Sequence, residues 1–234
     1  MAASGAHLPA ERGFDAADET ITIHVGDPPT SYFIHRSVLC SSGHFFQTRL
    51  KPEWSRTDEA HAKLPVHEPD AFNLYVNWLY MRGIPLTAPD KDDDAMHQAD
   101  WKNLAAAFVV GEAVMDDPFK DAVMDALCAK ARSSKGATLW AVMNAIVQTL
   151  YEGAPTGSPA RKWLLAAFIH HAPADSLDPN TGDLPKDFVW ELAQAHTEGR
   201  KPRSIMEHDS AAALKCTYHS HGDGEVCSLA KKEG

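Results

Sequence analysis

Residues 21–46, ITIHVGDPPTSYFIHRSVLCSSGHFF, decide the fold of this chain. In ITIHV, Ile21, Ile23 and Val25 alternate with Thr22 and His24, the period-two mark of a half-buried strand. Gly26, Asp27, Pro28 and Pro29 cannot continue a ladder, so the chain turns there. Tyr32 to Ile34 is a short return strand, which makes a hairpin. After it the period becomes helical. Val38 and Leu39, then Phe45 and Phe46, are spaced to face one core from two short helices, with Ser42 and Gly43 as the break between them.

Working outward, residues 51–58 carry Pro52 and Trp54 among polar neighbours and read as a loop with one large anchor. AKLPV at 62–66 reads as a third strand beneath the hairpin. Pro69 then suits the first position of a helix, because its missing N–H has no partner there, and Asp70 sits near the positive end of the helix dipole. Phe72, Tyr75, Val76 and Leu79 follow at three- and four-residue steps, and Trp78 and Tyr80 widen that apolar face. MRGI at 81–84 makes a turn. Residues 88–100, with Asp90, Asp92, Asp93 and Asp94, read as a solvated acidic loop, since they lack the alternating ligands and central glycine of a calcium loop. A helix is expected from Trp101 to Met115, and another that Asp117 caps and Pro118 begins, with Phe119, Val123 and Leu127 on its buried stripe.

The order VG, FIHRSVLCSSGHFF, KPEW, LPVHEPDAFNLYVNWLYMRGI resembles the BTB/POZ domain, the cullin-adaptor and dimerisation module. The resemblance spans about 21–132, somewhat less than half of the chain, and rests on these motifs in order; WLYMRG and the region beyond 132 look like the fungal branch. It implies an α+β fold in which a short three-stranded sheet is capped by a cluster of helices, followed here by an all-helical extension. The family's motif and core positions fall on His35, Leu39, Phe45, Phe46, Phe72, Trp78, Leu79 and Tyr80. It implies a His35 that packs and hydrogen-bonds beneath the helices rather than acting as a base, and no acidic or cysteine partner lies beside it in sequence. Cys40 reads as a small buried apolar side chain. The helix from Pro69 is expected to pack on the hairpin and leave part of its face for a partner.

The resulting organisation is a disordered leader at 1–19, the BTB/POZ domain at 20–132, a helical extension at 133–200 and a flexible tail at 201–234. Leu139, Val142, Met143, Ile146, Val147 and Leu150 form one clean face of the extension; Ser158 and Pro159 open its second helix, and a third runs near 185–196 with Phe188, Val189 and Leu192. The plain reading of these helices is a stabilising appendage.

In the tail, CTYHSHGDGEVC brings Cys216, His219, His221 and Cys227 together, the two thiols and two imidazoles of a closed tetrahedral zinc site. Its spacing departs from ordinary zinc fingers. A disordered tail and a Cys216–Cys227 disulfide are the alternatives, the second opposed by a reducing cell. No open coordination position would remain for catalysis, and no other cofactor is expected.

Composition limits function. Hydrophobic residues at 44% and charged residues at 23% are ordinary for a soluble globular protein. A net charge of -10 repels a nucleic-acid backbone. No apolar run approaches the roughly 20 residues that cross a bilayer, the first residues lack an apolar signal core, and four cysteines suit a reducing compartment. The chain is therefore expected to be intracellular, in cytoplasm or nucleus, and not an enzyme: no nucleophile elbow, phosphate-binding glycine loop, dinucleotide fingerprint or HExxH motif occurs. The expected partners are a second copy or another BTB protein, and a cullin scaffold; nucleic acid, membrane and small-molecule substrate are not expected. Because the chain has no recognisable kelch, MATH, zinc-finger or ankyrin region to hold a ligase substrate, an oligomerisation scaffold with no ligase role is the alternative, and a zinc-binding regulatory protein a further one.

Overall fold

The computed structural model describes residues 13–50, 61–88, 94–133, 137–172, 177 and 184–198. Trp54 and the Cys216, His219, His221, Cys227 quartet lie outside them. Three strands, β1 (Thr20–Val25), β2 (Thr30–His35) and β3 (His61–Leu64), form one sheet in the order β2-β1-β3. β1 and β2 are antiparallel, with Ile21 opposite Ile34 and Ile23 opposite Tyr32, while β3 runs parallel to β1. The third strand therefore lies beside the hairpin, not beneath it. A parallel neighbour needs a long crossover, and residues 36–60 supply it. Alternation does the rest: Ile21, Ile23, Val25, Ile34, Ala62 and Leu64 are buried on one face.

Two short helices follow β2, α1 (Arg36–Cys40) and α2 (His44–Arg49). Gly43 breaks them at φ 72, and a side chain there would press on the Tyr75 hydroxyl and the Val114 carbonyl. Helix α3 (Pro69–Met81) is the axis of the domain. Ala71, Phe72, Leu74, Tyr75, Trp78 and Leu79 are all buried. Phe72 packs edge-on to Tyr32 of the sheet, and Tyr75 lies between Phe46 on one side and Phe119 on the other. Most of the apolar face of α3 is thus consumed by the core, because helices cover the side of α3 away from the sheet, while Tyr80 in its last turn stays half-exposed. A helix apolar over so much of its circumference is a buried helix.

The remaining helices are α4 (Asp94–Val114), α5 (Asp117–Ser133), α6 (Ala137–Gly153), α7 (Pro159–His171) and α8 (Lys186–Glu198). Helix α4 begins within the stretch read as an acidic loop, seven residues before Trp101. Nothing in AMHQAD opposes a helix, since it has no glycine, proline or β-branched residue. Asp100 is consequently not solvated: its Oδ2 pairs with Lys130 Nζ at 2.8 Å and accepts the Thr87 N–H at 3.1 Å. The cap of α5 is Asp116 rather than Asp117, with Asp116 Oδ1 accepting the Phe119 N–H at 3.1 Å. The extension shares the core of the first domain. Gly153 at the end of α6 seats against Val109 of α4, and Trp163 of α7 stacks on Trp101 with centroids 6.4 Å apart. In α7 the Ser158 Oγ accepts the Arg161 N–H at 3.4 Å, the cap expected from the sequence. The core belongs to a unit that ends at Leu192; the unit from Ala193 supplies the last residues of α8, where Thr197 Oγ1 donates to Gln194 O at 2.7 Å.

Candidate interaction site

The family-motif residues divide into two groups. Leu39, Phe46 and Phe72 are fully buried, and Trp78 and Leu79 nearly so. Phe45 is half-buried and meets Phe46 edge-on at 5.0 Å. His35 and Tyr80 instead come together at the surface, where β2 ends beside the last turn of α3. The His35 backbone N–H donates to the Tyr80 hydroxyl oxygen at 3.1 Å, and His35 Nδ1 and that hydroxyl share a second hydrogen bond of 2.7 Å. The histidine is therefore a joint between sheet and helix.

Onto this joint folds a segment the sequence placed in the leader. The Phe14 ring lies 5.2 Å from both the His35 and Tyr80 rings. Asp18 Oδ2 accepts the Ser37 N–H at 2.6 Å at the start of α1, and this hydrogen bond holds its carboxyl below the usual carboxylate value. Glu19 Oε1 pairs with Arg36 Nη1 at 2.6 Å, an exposed pair of small energetic weight, while Arg36 Nη2 donates to Leu50 O. Sequence reasoning missed Phe14 and Asp18. The available signal was a lone large aromatic in an otherwise small and polar leader.

Beside this strap an open cleft of ≈ 240 Å³ runs between α1 and the end of α3, lined among others by Val38, Leu79 and Tyr80 on its floor and by Ser37, Ser41 and Arg82. Arg82 ends α3 in the left-handed conformation, φ 53. Its guanidinium lies 4.3 Å from the Trp78 ring centroid and donates through Nη2 to Ser41 Oγ at 3.1 Å. Cys40 is half-buried nearby and burial pushes its thiol up, away from a nucleophilic thiolate. The cleft thus sets apolar side chains beside hydroxyls, the Arg82 guanidinium and the Asp15 carboxylate, which suits holding a side chain of a partner. Among the described residues no group of three or more His, Cys, Asp or Glu converges as a metal site.

The family model of the BTB/POZ domain matches residues 16–107. Residues 16–107 are a BTB/POZ domain. The match includes the strap from Ala16, the whole sheet and α3, and ends inside α4. No curated protein matches the chain. BTB/POZ domains are in general protein–protein interaction modules. Among the described residues no helix is long and apolar enough to cross a membrane.

Proposed function

We propose that the chain works by protein contact inside the cell, in cytoplasm or nucleus: its BTB/POZ domain associates with a second copy or another BTB protein and presents a bound partner to a cullin-type ubiquitin ligase. The observation that carries this reading is the domain match over residues 16–107. The cleft beside Tyr80 and Arg82 supports it as a surface with an apolar floor that a partner side chain would fill. In this reading the domain extends over 20–132, and the helices of 133–200 stabilise it by covering α4. The alternative is an oligomerisation scaffold with no ligase role.

The test is affinity purification of the full chain with mass spectrometry, followed by direct binding of any recovered cullin to wild type and to Arg82→Glu. A cullin that binds wild type and loses about tenfold on the variant supports the adaptor at this cleft. Recovery of only this chain or of BTB proteins supports the scaffold, and recovery of neither class overturns both.

A second reading concerns the tail, where two thiols and two imidazoles, Cys216, His219, His221 and Cys227, match the ligand set of structural zinc. It is tested by elemental analysis of protein purified without chelators. About one equivalent, lost in Cys216→Ser, supports the site; below about a tenth of an equivalent, not restored by added zinc, removes it.

A further inference from the structure

Strand β2 is the edge of the sheet, and the hydrogen bonds around it fix which of its backbone groups face outward. The Arg36 N–H donates to Glu19 O at 2.8 Å, so residues 19 and 36 form a narrow pair, and in antiparallel pairing the narrow pairs recur at every second residue. With Ile21 opposite Ile34 and Ile23 opposite Tyr32, residues 30, 32 and 34 bond to β1, and the N–H and C=O groups of Ser31, Phe33 and His35 point away from it. Two other bonds agree with that phase. The His35 N–H meets the Tyr80 hydroxyl rather than β1, and the Gly26 N–H, on the opposite phase of β1, donates to Leu64 O of β3 at 3.1 Å.

Exposed edges are ordinarily blunted by lysine, proline, a bulge or a covering element. TSYFIH has no proline or charged lysine, arginine or carboxylate and no bulge interrupts its register. The Tyr80 hydroxyl closes only the end at His35. Among the described residues nothing pairs with the outward groups of Ser31 and Phe33, and Phe33 stands 68% exposed between them and solvent.

We propose that this edge is a pairing surface for a second copy of the chain, β2 lying antiparallel to its counterpart about a twofold axis through Tyr32. The inference rests on the self-association read above and names its surface. The phase selects the axis. An axis through Ser31 would call on Pro29, which has no N–H, and one through Phe33 would call on the His35 N–H that Tyr80 already holds. An axis through Tyr32 sets Ser31 opposite the partner's Phe33 and Phe33 opposite the partner's Ser31, two narrow pairs that satisfy every outward group of both residues. The two Phe33 rings then become diagonal neighbours at about 7–8 Å, within reach of each other.

Sedimentation of the full-length protein, with hydrogen exchange at single-amide resolution, tests this on wild type, Ser31→Pro and Phe33→Lys. Ser31→Pro removes an outward donor and leaves the backbone bonds to β1 intact, losing only the exposed Ser31 Oγ–His24 Nδ1 hydrogen bond of 3.0 Å, so the monomer should melt close to wild type; Phe33→Lys introduces a charge at an exposed position. Expected is a wild-type dimer whose Ser31 and Phe33 amides are protected in proportion to its population, and a dissociation constant raised about tenfold or more by each variant. A dimer that both variants leave unchanged, with those two amides exchanging freely, overturns the edge pairing while self-association stands. A wild type that remains monomeric at all concentrations overturns both.

Discussion

The Tyr75 hydroxyl donates to Asp116 Oδ2 at 3.1 Å, joining the middle of α3 to the turn between α4 and α5 across 41 residues of sequence. Asp116 is 1% exposed, and its other oxygen caps α5. One carboxylate thus satisfies two buried donors, and Gly43 leaves the room that lets the Tyr75 hydroxyl reach it. Asp116→Ala should strand both donors and cost roughly 2–5 kcal/mol, whereas Tyr75→Phe removes one bond and should cost about 1–3 kcal/mol. In a denaturant double-mutant cycle the two losses should fall short of additivity by about 1 kcal/mol or more. Additive losses would show that the bond does not couple α3 to α5.

The same tyrosine sets an alkaline limit. Burial, then the neighbouring Asp116, raise the Tyr75 hydroxyl well above its usual 10.0, and burial with the Glu191 carboxylate does the same at Tyr151. Below about pH 10 both folded and unfolded chains hold these protons, so their contribution to stability is complete there. Above it the unfolded chain releases them and the folded chain does not. Stability should therefore fall with rising pH from about pH 10, and Tyr75→Phe should flatten that slope. The check is chemical denaturation across pH 8–11 with tyrosinate absorbance, and a slope equal in both proteins would contradict it.

Gly153 marks where the extension meets the first domain. A Cβ there would lie 3.0 Å from Val109 Cβ and overlap both its methyl groups. Glycine to alanine in a helix ordinarily gains up to about 1 kcal/mol. Here Gly153→Ala should instead destabilise by about 1–3 kcal/mol, because α6 would have to lift off α4. Val109→Ala in the same chain should restore most of the loss. Thermal melting decides it: a stabilising Gly153→Ala would mean that α6 does not rest on α4 at this point.

How far the sequence carries can be seen from these residues. The hairpin, the Gly43 break and the start of α3 at Pro69 were legible because alternation, glycine and proline act within a few residues. The parallel placement of β3 was not, since period-two burial looks the same in a strand beside or beneath a hairpin. Asp100 was misread for a related reason. A carboxylate in an acidic run looks solvated until the fold brings a cation to it, and Lys130 lies 30 residues downstream. The cap of α5 shifted by one residue because Asp116 and Asp117 are chemically identical and only the position of Tyr75 distinguishes them. At the interaction site His35 and Tyr80 were visible through the family motif, while the placement of Phe14 and the edge position of Phe33 depend on tertiary placement and strand order.

The Asp100–Lys130 pair offers the sharpest test of the corrected reading of α4. Its side chains are 15% and 6% exposed, Lys130 Nζ also lies 3.4 Å from His97 Nδ1, and Trp101 stands 5.9 Å from the same ammonium. Two charges so placed have lost most of their water, and that cost is recovered only while both are present. Asp100→Ala should take the carboxylate at 2.8 Å from the Lys130 ammonium and the acceptor from the Thr87 N–H, and should cost about 3–5 kcal/mol. Lys130→Ala should cost a similar amount by stranding the carboxylate. Replacing both together, Asp100→Leu with Lys130→Met, keeps the volume and removes both charges, so it should cost far less than either single change. Urea denaturation of the three variants measures this. If Asp100→Ala melts with the wild type, the carboxylate is solvated and the acidic-loop reading of residues 88–100 would return.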